Sequence, residues 1–182
     1  YRHALDQRYL AKYVVRDEQE EAFRTLIRPD GPYWALHYYG MGGVGKTMLL
    51  RRICAQLAGS SPVARVDFDY LNPGYPTTRP AELIGRLADE LRPFFGQRNL
   101  ESKLEDWMAE VGRLHEKLGG DPPAGDPLAN VHSSDLCNLR DWFADLVVQL
   151  PQPVILILDT CEELIKLQLA SGELPHVSAT FE

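Results

Sequence analysis

Gly40-Met41-Gly42-Gly43-Val44-Gly45-Lys46-Thr47 follows the pattern G-x-x-x-x-G-K-[ST], and its residue types are those a phosphate group needs. Glycines let successive backbone N–H groups curl around an anion with no Cβ in the way. The lysine of such a loop reaches the β- and γ-phosphates, and the hydroxyl after it ligates Mg²⁺. Here those roles fall on Lys46 and Thr47. A helix opening at Met48 would add the positive end of its dipole to the same anion site. The stretch from Gly40 to Met48 therefore implies a bound nucleotide.

A second group of residues could complete that chemistry. Val154-Ile155-Leu156-Ile157-Leu158 is a continuous apolar run that ends in Asp159. An apolar strand ending in an acid is the Walker B pattern, which brings a carboxylate to the Mg²⁺ shell. Thr47 and Asp159 are thus the candidate metal ligands. Hydrolysis further needs a group that orients water in line with the γ-phosphate. Thr160 occupies the position where a second acid often sits, so Glu162 is the first candidate, ahead of Glu163. Both glutamates also have a structural explanation. Thr160-Cys161-Glu162-Glu163 fits the S/T-x-x-E capping box and would open a helix from Leu164 to Leu169.

Elements must hold these groups in place. Tyr33-Trp34-Ala35-Leu36-His37-Tyr38-Tyr39 reads as the strand before the loop, and Met48 to Leu57 as the helix after it. Upstream, Tyr1 to Tyr13 is helix-compatible. Asp17 caps a second helix through Ala22, Phe23, Leu26 and Ile27 that stops at Pro29-Asp30-Gly31. Downstream, Val63 to Phe68 alternates like a strand, and Pro80 opens a helix reaching about Phe94. Leu104, Trp107, Met108, Val111, Leu114 and Leu118 keep a helical period. Gly119 to Pro127 is expected to be an exposed, mobile loop, and a further helix runs from about Ser134 to Leu150. A continuous rather than alternating apolar run at 154–158 implies cover on both faces, as in the centre of a parallel sheet. The expectation is an α/β fold, a three-layer α/β/α sandwich with a mainly parallel sheet. It would form a single domain over residues 1–182, with a helical lead-in at 1–30 and a helical insertion and loop at 96–135.

Composition narrows the setting. Hydrophobic residues make up 45% of the 182 and charged residues 25%, the balance of an ordinary globular protein. A net charge of −7 argues against broad attraction to nucleic acid or to an anionic membrane surface. Arg51 and Arg52 form a small basic patch that reads as a solvated helix face. Cys54, Cys137 and Cys161 are odd in number and lack a C-x-x-C spacing, which suits a reducing, cytoplasmic setting better than a disulfide framework. No apolar run approaches a membrane span, and no signal-peptide pattern opens the chain. The first residue is Tyr1 and the last residues do not read as a natural end, so a longer protein is expected.

GMGGVGKT followed by a leucine-rich helix, together with VILILDTCEE, resembles the STAND class of P-loop ATPases, relatives of AAA+ proteins and NB-ARC domains. The resemblance covers Tyr13 to about Phe68 and Val154 to Glu182. It implies ATP or ADP as the ligand, since adenine is favoured by resemblance alone. It also implies a hydrophobic-Gly-Arg element before the loop that touches the adenine end. Val14-Val15-Arg16-Asp17 stands there, with Val15 where the glycine belongs, and makes Arg16 a nucleotide contact. An arginine sensor strand, a helical lid domain and a winged helix follow Walker B in such proteins, and none lies within these residues. The implied use is a signalling switch, in which ADP holds a closed state and ATP permits self-association, with further domains as partners. Two other readings stand beside it: a binding-only module without turnover, and a small-molecule P-loop kinase, for which no clustered arginine lid is visible.

Overall fold

In a computed structural model of the chain, which describes residues 8–72, 75, 79–118 and 133–164, the acidic run after Arg16 opens helix α1 (Asp17–Leu26). Asp17, Glu18 and Glu20 lie in its first turn and Arg24 in its last, each suited to the helix dipole. Helix α2 (Lys46–Leu57) starts directly from the glycine loop, and its buried stripe is Leu49, Ile53 and Leu57, one residue per turn. Both helices belong to the first of two compact units, Tyr1–Ala58 and Gly59–Glu182.

The second unit runs β1 (Val63–Asp67), a 3₁₀ turn (Phe68–Tyr70), α3 (Glu82–Gly96), α4 (Glu101–Leu118), α5 (Ser133–Val148) and β2 (Ile155–Asp159). The two strands pair in parallel, with Val63 opposite Ile155 and Asp67 opposite Asp159. A parallel pair needs a long crossover, and the three helices supply it. Their apolar stripes meet in one core that holds Leu87, Leu91, Phe95, Leu104, Trp107, Leu139, Phe143 and Leu146. Ala64 and Val66 of β1 and Leu158 of β2 join it from the sheet. Because side chains alternate along a strand, Arg65, Asp67, Ile157 and Asp159 occupy the opposite face. Between α3 and α4, Asn99 takes the left-handed conformation (φ 55°), which asparagine tolerates better than most residues.

Several expectations are met within a residue or two: the helix from Asp17, the loop helix, the strand from Val63, and the helices of 101–118 and 133–148. The helical part of the 96–135 stretch lies in the core, where Leu104 and Trp107 are fully buried. Two expectations differ from the structure. Tyr33 to Tyr39 forms no strand. A strand exists by its ladder, and here the residues are held by a side chain: the Tyr38 hydroxyl donates to the Gln19 carbonyl at 2.7 Å. Tyr33, Trp34, Leu36 and Tyr39 remain exposed. The run at 154–158 is also not covered throughout, since Leu156 is 51% exposed while Ile157 is buried. The loop Gly119–Pro127 and any helix beyond Leu164 lie outside the described residues.

Arg51 and Arg52 do not form a solvated face. The Arg51 guanidinium sits over the Tyr9 ring, 4.7 Å from its centroid, and the Nε atoms of both arginines are buried. Arg52 also lends its charge to a buried acid, Glu20. Glu20 Oε1 accepts from the Tyr13 hydroxyl at 3.1 Å, and Oε2 accepts from Gln56 Nε2 at 3.1 Å and Arg24 Nη2 at 3.3 Å. Burial opposes its ionisation, but the bonds from Gln56 and Tyr13 and the charges of Arg52 and Arg24 outweigh it and hold the carboxyl below its ordinary value. This network ties α1 to the end of α2. A depressed carboxyl stabilises the fold above its unfolded value of 4.5 and ceases to do so as pH falls through the folded one. Glu20→Ala should cost on the order of 2 kcal/mol at neutral pH, and the gap from wild type should shrink in acid. Urea melts at pH 7 and in acid below that carboxyl range check this; an equal gap at both pH values refutes the role of the charge.

Candidate functional site

The loop from Gly40 to Gly45 works through backbone conformations that only glycine adopts freely. Gly43 (φ 79°) and Gly45 (φ 89°) are left-handed, and Gly45 is the residue from which α2 starts. No side chain caps that helix end, so its first amides face the loop as a group of donors. A Cβ on Gly45 would come within 2.8 Å of Arg16 Nη2. That close approach has a purpose: the Arg16 guanidinium donates to the Val44 carbonyl and so ties the lead-in segment to the loop. Lys46 folds back over the loop, its Nζ donating to the Gly40 carbonyl at 2.8 Å and standing 3.4 Å from that of Met41. Met41, Gly42, Gly43 and Val44 are exposed, while Thr47 and Met48 are half-buried at the first turn of α2.

The structure therefore brings Arg16, Gly40 to Gly45, Lys46, Thr47 and Met48 together in the first unit. Arg16 meets the loop backbone, where the sequence had suggested a contact with the nucleotide.

Asp159 ends β2 in the second unit and is 3% exposed. Its Oδ2 accepts from Arg65 Nη2 at 2.6 Å, and its Oδ1 accepts from the Thr160 amide at 3.0 Å. Thr160 carries φ 60°, an unusual conformation for a β-branched residue, and the turn it makes aims that amide at the carboxylate. The expected capping box changes accordingly. The Thr160 N–H that such a box gives to the Glu163 side chain serves Asp159, and the Glu163 amide donates to the Thr160 carbonyl at 3.0 Å. Glu162 is exposed at the start of the next helical turn. Cys161 has its thiol pushed up by burial, with the nearby charges of Glu162 and Asp159 adding to the effect.

Sequence reading missed Arg65. The signal was present, since an arginine inside the apolar alternation Val63 to Phe68 must find a buried partner or leave the strand.

Thr47 and Asp159 offer hydroxyl and carboxylate oxygens, the donor type that Mg²⁺ prefers. Among the described residues no group of three or more His, Cys, Asp or Glu side chains could hold a metal ion. Mg²⁺ in phosphate chemistry takes much of its shell from the phosphates and water, so few protein ligands suffice. Among the described residues no helix is long and apolar enough to cross a membrane.

No curated protein and no solved structure matches the chain. The family model of the AAA ATPase domain matches residues 12–177, a span that includes Arg16, the glycine loop, the α3–α5 crossover and the β2 acid. The chain belongs to that family of nucleotide-binding P-loop NTPases with an α/β fold.

Proposed function

We propose that this chain is the ATP- and ADP-binding module of a STAND-class signalling switch, with Mg²⁺-dependent binding and slow hydrolysis. The observation that carries this reading is the loop itself. Left-handed Gly43 and Gly45 and an uncapped α2 leave a ring of backbone donors, over which the Lys46 ammonium already lies. A triphosphate would exchange the Gly40 and Met41 carbonyls for phosphate oxygens as the partners of Lys46. Thr47 and Asp159 would hold Mg²⁺, which when bound neutralises charge on the β- and γ-phosphates. Glu162 is exposed and would orient water. Arg16 would steady the loop through Val44 and present the rest of its guanidinium to the nucleotide. A three-layer α/β/α sandwich is the fold this reading expects. Adenine, the signalling role and self-association rest on the resemblance of GMGGVGKT and VILILDTCEE, and a cytoplasmic setting rests on three cysteines without a C-x-x-C spacing.

One observation favours the binding-only reading: the residue after Asp159 is a threonine, and Asp159 itself is engaged by Arg65. Thermal melts and phosphate release separate the two. ATP with Mg²⁺ at about a hundred times its dissociation constant should stabilise the fold by about 2.7 kcal/mol, and ADP should act likewise, with GTP weaker. Stabilisation with phosphate release supports the switch ATPase; stabilisation without release supports the binding module; no shift with any nucleotide refutes both.

A further inference from the structure

Arg65, Asp67 and Asp159 form a buried triad on one face of the parallel strand pair. Arg65 and Asp67 are two residues apart on β1, and Asp67 lies directly opposite Asp159 on β2. The side chains are only 9%, 10% and 4% exposed. Arg65 Nη2 stands 2.6 Å from Asp159 Oδ2 but 3.6 Å from Asp67 Oδ2, so one guanidinium serves two neighbouring carboxylates and favours one of them. Its Nε is buried with no hydrogen-bond partner. A purely structural arginine would use its planar fork more fully. This one is held by a single short contact, with a second acceptor within reach.

We propose that Arg65 is a latch on the metal-directed carboxylate. The guanidinium holds Asp159 and places a positive charge beside two adjacent carboxylates. With a divalent cation held at Asp159, the Arg65 guanidinium would give up that contact under charge repulsion and turn to Asp67, 3.6 Å away. The Thr160 amide, bound at the other oxygen of Asp159, would help keep the carboxylate oriented through the exchange. Arg65 is therefore a positioning residue that sets how much Mg²⁺ the chain needs, and Asp67 is its alternative partner. This rests on the reading of Asp159 as a Mg²⁺ ligand.

The test is the affinity of a fluorescent ADP analogue measured across a Mg²⁺ titration, with wild type, Arg65→Gln, Asp67→Asn and Asp159→Asn. Removing the competitor in Arg65→Gln should lower the Mg²⁺ midpoint by at least about tenfold. Removing the receiving acid in Asp67→Asn should raise it several-fold, because the displaced guanidinium then has no carboxylate to join. Opposite shifts support the latch. If Asp159→Asn moves the midpoint while the other two leave it unchanged, the latch is wrong and the metal reading survives. If Asp159→Asn itself changes nothing, the metal reading falls and the latch falls with it. Should Arg65→Gln fail to fold, Asp67→Asn decides alone: a raised midpoint supports the latch, and an unchanged or lowered one overturns it.

Discussion

Lys46→Ala should abolish measurable nucleotide binding while leaving the unliganded chain almost as stable as before. The two halves of this result have separate causes. In the unliganded chain Lys46 Nζ bonds the Gly40 carbonyl at 2.8 Å and lies 3.4 Å from that of Met41, at the edge of a loop whose residues are mostly exposed. A solvent-accessible bond of this kind contributes under about 1 kcal/mol net, since water replaces the lost partner. With nucleotide bound, the same ammonium would face phosphate oxygens in a partly dehydrated loop, where charge-assisted bonds are the strong ones. Its loss should weaken binding by about two orders of magnitude or more, equivalent to roughly 2.8 kcal/mol. Lys46→Arg should rescue little, because a planar fork does not fit where a compact ammonium sits. Calorimetric titration with ATP and Mg²⁺, beside a thermal melt of each unliganded variant, separates the two effects. A Lys46→Ala chain that binds like wild type would falsify the assignment of the loop.

How much of this site the sequence discloses depends on the range of the interaction. The loop is legible because its function is local: glycine conformations, one lysine and a helix start lie within eight consecutive residues. The strand ending in Asp159 is legible for a similar reason, as are the core stripes of α4 and α5, whose members recur at helical spacing. Tyr33 to Tyr39 has a strand's composition, yet a ladder depends on a neighbour that local composition does not supply. Arg65 and Asp159 are 94 positions apart, and their meeting depends on the parallel register that sets Asp67 beside Asp159. The Glu20 network likewise spans 36 positions to Gln56. The left-handed turn at Thr160 runs against the preference of a β-branched residue, so a capping box was the natural local reading and the carboxylate beside it took the amide instead. Long-range polar contacts left only one trace in the sequence, a charged residue inside an apolar strand.

Trp107→Ala should be the most damaging single core truncation in the second unit. Trp107 is fully buried near the middle of α4, its ring centroid 5.2 Å from that of Phe143 on α5, and its indole N–H donates to the Leu139 carbonyl at 2.9 Å. One side chain thus supplies apolar area, an aromatic contact and a polar tie between the two helices that carry the chain from β1 to β2. Cutting it to alanine leaves a cavity that helices joined on both sides can close only in part, at a cost of about 3–5 kcal/mol. Against a typical domain stability of about 5–15 kcal/mol, that leaves the fold marginal or lost. Trp107→Phe separates the contributions. It keeps most of the ring and removes only the indole donor from a helix carbonyl that accepts other bonds, so it should cost about 1–2 kcal/mol. Urea titrations should show the midpoint fall in the order wild type, Trp107→Phe, Trp107→Ala, with an unchanged slope for the phenylalanine variant. Because β2 ends in Asp159 and pairs with β1 only across this helical crossover, loss of the α4–α5 contact should also weaken the Arg65–Asp159 pairing. A Trp107→Ala chain with wild-type stability would mean that the stretch near 96–135 is an appendage, and the burial of Leu104, Trp107 and Val111 argues against that.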